Sequence, residues 1–147
     1  YLYIKNDQLG VHKDNEKIIK VIAGKFENAE GPEKGHNVDP IYFHIVLEKD
    51  KEFKCDVPSG HNSFIYLLAG DLSVGENKHD KTSNSNLILL DRGDKLIVKA
   101  NEKSEFLFIA GKPIGEPIAR GGPFVMNTKA EILQAVQDYH NGTFAKY

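Results

Sequence analysis

The stretch Val57–Gly75 reads Val-Pro-Ser-Gly-His-Asn-Ser-Phe-Ile-Tyr-Leu-Leu-Ala-Gly-Asp-Leu-Ser-Val-Gly. A Pro-Ser-Gly turn opens it, and Phe64–Leu68 follows with no charged side chain, the pattern of a strand buried on both faces. Ala69-Gly70-Asp71 predicts a turn and Leu72–Val74 a partner strand, so the stretch is expected to form a hairpin around which a small β-barrel is wound.

Upstream, Lys17–Ala23 is β-branched and ends at Gly24, which predicts a strand. In Pro40–Leu47, Ile41, Phe43, Ile45 and Leu47 share one strand face, and Tyr42, His44 and Val46 share the other. Phe53–Val57 predicts a short strand, Tyr1–Gln8 an edge strand, His12–Glu16 a polar loop, and Asn28–Asp39 a long surface loop. Downstream, Glu76–Asn86 is hydrophilic and is expected to be mobile. Leu87–Leu90 reads as a strand closed by the turn Asp91-Arg92-Gly93-Asp94, and Lys95–Ala100 and Glu105–Ala110 as further strands. Short strands punctuated by Gly and Asp turns, with no helical period before residue 127, predict an all-β sandwich or barrel.

The tail changes character. Gly111–Gly122 is rich in Pro and Gly and reads as an irregular connector. Thr128-Lys129-Ala130-Glu131 is a capping box, Ile132, Ala135, Val136 and Tyr139 form an apolar stripe, and Asn141-Gly142 is a stop signal. A helix is therefore predicted over Thr128–His140. The organisation expected for 1–147 is one domain: a barrel over 1–114, a connector over 115–127, and a helix with its tail over 128–147.

The chain has 147 residues and a net charge of −2, enough length for a full core and no basic stripe for nucleic acid or an anionic membrane. Lys95, Lys99 and Lys103 recur every four residues but lie in strand and turn, as a solvated face does. The single cysteine, Cys55, excludes an internal disulfide, has no His or Cys at ligand spacing, and reads as a half-buried strand residue rather than a nucleophile. With no signal peptide and no membrane-spanning run, a cytoplasmic location is expected.

Leu67-Leu68-Ala69-Gly70-Asp71 and Leu90-Asp91-Arg92-Gly93-Asp94 together resemble the cupin turn pattern. Gly122-Pro123-Phe124-Val125-Met126-Asn127-Thr128 before a capped helix resembles the C-terminal signature of the pirin family. Pro58-Ser59-Gly60 with Ser63–Tyr66, and Phe108–Gly111 with Glu116-Pro117, match the same family. The resemblance covers nearly the whole chain from Lys17 and implies the C-terminal cupin of a pirin-like bicupin, a double-stranded β-helix (jelly roll) followed by one α-helix. It implies that Fe(II) or a similar ion sits in a separate N-terminal cupin. Quercetin 2,3-dioxygenase-like oxygenase activity, or co-regulation of transcription, would then belong to the intact protein. The implied partner is that N-terminal cupin or a second copy of this chain, and the start on Tyr1 rather than Met fits a missing upstream segment.

Placing the cupin motifs on these residues leaves no metal ligand in this chain. With its last glycine on Gly70, the first motif puts Ser63 at the Glu position and Asp56 with Pro58, or Val57 with Ser59, at the His positions. With its first glycine on Gly93, the second puts Lys99 and Asn101 at the Pro and Gly positions and Ser104 at the His position. These are poor donors for Fe, Mn or Zn. His12, His36, His44, His61, His79 and His140 are scattered, and a rearranged site from His44, His61 and Glu48 or Asp56 is the remaining metal alternative. A metal-free small-molecule or sugar site on Tyr42, His44 and Tyr66 is a third reading, although no carboxylate is placed by sequence to orient His44 and the only arginines are Arg92 and Arg120. Gly121-Gly122 and Gly31–Gly35 lack the Lys-Ser/Thr of a phosphate loop. Phe124, Val125 and Met126 have no evident place in the barrel and are expected to cover a partner. No catalytic, cofactor or metal residue is therefore assigned.

Overall fold

Strands make up most of the regular structure in the computed structural model, which describes residues 3–33, 37–75, 80–82 and 86–145. Two units divide the chain, Tyr1–Pro113 and Ile114–Tyr147. The first carries β1 (Gly10–Lys13), β2 (Lys17–Ala23), β3 (Lys25–Phe26), β4 (Ala29–Glu30), β5 (Ile41–Leu47) and β6 (Glu52–Asp56). It continues through β7 (Asn62–Ala69), β8 (Leu72–Val74), β9 (Asp80–Thr82), β10 (Leu87–Leu90), β11 (Lys95–Ala100) and β12 (Ser104–Gly111). A six-stranded sheet in the order β1-β2-β5-β12-β7-β10 packs on a four-stranded sheet in the order β6-β11-β8-β9, and β3 and β4 form a small hairpin.

The core lies between the sheets and follows from strand alternation. Ile19 and Val21 of β2, Phe43, Ile45 and Leu47 of β5, Phe106 and Phe108 of β12, and Ile65 and Leu67 of β7 are sealed on one side. Phe53, Leu72, Leu96 and Val98 meet them from the other sheet. Phe26 joins the layers, its ring centroid 6.0 Å from that of Phe43 and 5.6 Å from that of Phe53. Asp14 closes the β1–β2 turn: its Oδ1 accepts from the backbone N–H groups of Glu16 (2.7 Å) and Lys17 (2.8 Å). The Glu16 N–H and then the His12 imidazole hold its carboxyl well below the usual carboxylate range.

The strands expected at Lys17–Ala23, Pro40–Leu47, Phe53–Val57, Leu87–Leu90, Lys95–Ala100 and Glu105–Ala110 all form, three of them with ends shifted by one residue. The opening stretch differs. β7 and β8 do not pair as a hairpin; they belong to different sheets, and Gly70-Asp71 is the corner between them. Gly70 has φ +96°, and a Cβ on it would lie 2.6 Å from Ser104 Cα. Ser104 Oγ accepts from Asp71 N (3.1 Å) and donates to Glu102 O (2.8 Å), so the corner is held by β12 rather than by a hairpin ladder. Nor is β7 buried on both faces, because Tyr66 and Leu68 are exposed while Ile65 and Leu67 are sealed.

Smaller corrections concern the periphery. Asn6–Gln8 is a 3-10 turn where an edge strand was expected, and the edge strand is β1, in part of the expected loop. Asn28–Asp39 contributes β4, after which Gly31 packs too closely on the Ile22 backbone to tolerate a Cβ, and residues 34–36 of that loop lie outside the described set. Within Glu76–Asn86, β9 forms a strand, while 76–79 and 83–85 lie outside the described residues.

In the second unit, β13 (Ala119–Gly121) and β14 (Phe124–Met126) form a hairpin where a connector was expected. Gly122, at φ +55°, opens its turn. α1 (Lys129–His140) begins on the capping box, with Thr128 Oγ1 accepting from Glu131 N (3.2 Å) and Glu131 Oε2 accepting from Thr128 N (2.7 Å). Phe124 is buried within this unit, 6.0 Å from Tyr139 and 5.0 Å from Phe144 between ring centroids. It thus anchors its own helix, while Val125 of that triplet is largely exposed.

Candidate functional site

A cleft of about 300 Å³ opens between the two sheets beneath the β10–β11 turn. Ser63, Ile88 and Leu90 line it from the six-stranded sheet, Val74 and Leu96 from the four-stranded sheet, together with Val57. Asp91, Arg92 and Lys95 form its polar rim. Two positions at which the first cupin motif would carry metal ligands, Val57 and Ser63, are on this wall. The donors there do not fit a transition metal. Valine has no donor, Ser63 offers a neutral hydroxyl, and Asp56, Pro58 and Ser59 are exposed.

Ser104, the imidazole position of the second motif, lies at the opposite end of β12. Ala110 is the β12 residue paired with Ser63, so Ser104 is six residues away, about 20 Å along a strand. Lys99 is half-buried on β11, and Asn101 exchanges hydrogen bonds with Ser73. The rearranged alternative is not assembled either. His44 lies mid-sheet on β5 and Asp56 on β6 of the other sheet, while Glu48 Oε1 accepts from Lys103 Nζ (2.7 Å). His61 is buried with no hydrogen-bond partner on either ring nitrogen among the described residues. No group of three or more His, Cys, Asp or Glu side chains among the described residues is arranged to hold a metal.

Tyr42, His44 and Tyr66 share one face, as the alternation predicts, but it is the outer face of the six-stranded sheet and not a pocket. His44 and Tyr66 both pair with Leu107, and Tyr42 pairs with Ile109. The sequence did not reveal the carboxylate that orients His44: Glu105 Oε1 lies 2.6 Å from His44 Nε2. Only the β5–β12 register, which sets Glu105 opposite Val46 and diagonal to His44, places it there. The same face carries Tyr66, Leu68, Leu87 and Leu89, exposed by 37%, 41%, 56% and 77%. These four are neighbours, since Leu87 pairs with Tyr66, Leu89 with Phe64, and Leu68 follows Tyr66 by two residues.

Cys55 faces between the sheets, where burial and then the nearby Asp56 charge push its thiol up to about 12. It is a half-buried strand residue of β6, as the sequence predicts. In the second unit, Phe124, Met126, Val136, Tyr139 and Phe144 line an apolar groove of about 820 Å³.

The family model of the pirin C-terminal cupin domain matches residues 42–145. The chain belongs to the pirin C-terminal cupin domain family. It is 34% identical over 146 residues to a pirin-like protein of Caulobacter vibrioides, covering 98% of this chain and 52% of that protein. Mouse pirin is 36% identical over 145 residues, covering 96% of this chain and 49% of that protein. A solved structure of quercetin 2,3-dioxygenase from Acinetobacter baumannii overlays with a TM-score of 0.83 at 30% identity, covering 97% of this chain and 50% of that one. The chain spans about half the length of the curated relatives it matches. Its all-β architecture is that of the cupin fold that the paired Gly-Asp turns predict. No helix among the described residues is long and apolar enough to cross a membrane.

Proposed function

We propose that this pirin-family cupin is a structural and interaction barrel, packing through the outer face of its six-stranded sheet on a metal-bearing N-terminal cupin. The observation that carries the reading is the exposed apolar patch of Tyr66, Leu68, Leu87 and Leu89 on β7 and β10. Monomeric domains rarely leave adjacent leucines of one sheet face in water, because each exposed side chain forgoes about 1.5–3 kcal/mol of burial. The cleft supports the same reading from the other side, since Val57 and Ser63 supply no ligand for a transition metal.

Any oxygenase chemistry of the quercetin 2,3-dioxygenase kind then belongs to the whole protein and its N-terminal cupin, with Fe(II) or a similar ion held there. The chain alone, supplied with Fe(II) and quercetin, is expected to show no turnover and no stoichiometric iron by elemental analysis. Light scattering at several concentrations tests the docking face. The unpartnered chain is expected to self-associate, and Leu89→Lys with Leu68→Glu to restore a monomer. A strictly monomeric wild-type chain, or one that turns over quercetin, would sink the proposal.

A further inference from the structure

The cleft beneath the β10–β11 turn fits no metal, yet it is shaped for something else. Inside the charged rim its side chains are aliphatic, from Val57, Val74, Ile88, Leu90 and Leu96, with one polar side chain, the Ser63 hydroxyl. That hydroxyl has no hydrogen-bond partner among the described residues, and Arg92 at the rim has neither a hydrogen bond nor an ion pair among them. Arg92 and Lys95 against Asp91 give the rim one excess positive charge. At about 300 Å³ the volume lies at the lower end of the range for small-molecule pockets, too small for a long acyl chain or a nucleotide.

Aliphatic side chains, one hydroxyl and a guanidinium without a partner among the described residues select for a compact ligand with an apolar body and one anionic head. A sugar needs many more side-chain hydrogen-bond partners than this wall offers. We propose that the cleft binds a small aromatic or branched monocarboxylate, with its apolar body between Leu90 and Leu96 and its carboxylate paired with Arg92. The fork of the guanidinium suits a carboxylate in a bidentate arrangement. The site is distinct from the outer sheet face, so it stands or falls independently of the docking reading.

The test is a two-dimensional amide NMR titration of the 147-residue chain with benzoate, and with benzyl alcohol as its uncharged counterpart. Benzoate is expected to give saturable shifts confined to Ser63, Leu90–Leu96 and their strand neighbours, and to bind several-fold tighter than benzyl alcohol. Arg92→Gln, an exposed substitution, is expected to weaken benzoate about tenfold and leave benzyl alcohol unchanged. Arg120→Gln, in the second unit, is expected to change neither. Shifts that do not saturate or that scatter over surface lysines would overturn the proposal. So would equal binding of the two probes, or an Arg120→Gln variant as impaired as Arg92→Gln.

Discussion

The two faces of the six-stranded sheet are made by the same strands and differ in almost everything else. Inward, Ile45, Phe106, Phe108, Ile65 and Leu67 have no exposed surface. Outward, the alternate residues of those strands are also largely apolar, with Val46, Leu107, Ile109, Tyr66 and Leu68 interrupted by the His44–Glu105 pair, and they are half-buried or exposed. A sheet with one solvated face ordinarily alternates apolar with polar. Here the alternation is apolar with apolar, and the inner face is already satisfied by the second sheet. The outer face is therefore unusually apolar for a solvated sheet, and the proposed docking role rests on that contrast.

Substitutions on either face sharpen the contrast, beginning with the largest cost to stability. Phe106→Ala, which removes a ring packed 6.1 Å from Phe53, is expected to cost about 3–5 kcal/mol, a fall in Tm on the order of 10 °C. Gly70→Ala is expected to cost about 2–3 kcal/mol, because the corner requires φ +96° and a methyl there meets Ser104. Thr128→Ala is expected to cost about 1 kcal/mol by loss of the helix cap, measured by denaturant unfolding. On the outer face, Leu68→Glu and Leu89→Lys are each expected to move stability by no more than about 0.5 kcal/mol while abolishing association. If they destabilise like Phe106→Ala, the face is part of the core and the contrast fails.

Acidity separates the turn from both faces. The depressed carboxyl of Asp14 contributes stability that is present above the ordinary carboxylate pKa and lost as pH falls below it. Asp14→Asn is expected to flatten the acid limb of thermal unfolding between about pH 4 and pH 2, leaving Tm at pH 7 lower than in the parent.

The fold class and most strands were legible because β-branched runs and Gly-Asp turns are local signals, and so was the helix, fixed by Thr128 and Glu131. What failed was relational. Gly70-Asp71 announces a turn, but the residues alone do not say whether Leu72 returns to the same sheet or crosses to the other. The answer lies with Ser104, which lies 33 residues beyond Asp71 and bonds to it. Glu105 is illegible in the sequence for the same reason, being 61 residues from the His44 it orients. Phe124 looked homeless in a barrel because its pocket is supplied by Tyr139 and Phe144 of its own unit. The uncharged run Phe64–Leu68 has the pattern of a doubly buried strand, yet Tyr66 and Leu68 stand in the exposed patch.

The measurement that bears most directly on the docking face is solvent paramagnetic relaxation of the leucine methyls, compared between the chain alone and the chain joined to a pirin N-terminal cupin. The account predicts that Leu68, Leu87 and Leu89 lose most of their solvent enhancement in the joined protein, while Leu133, exposed on α1, keeps its own. Outer-face methyls that stay as accessible as before, with the two barrels folded together, would contradict it.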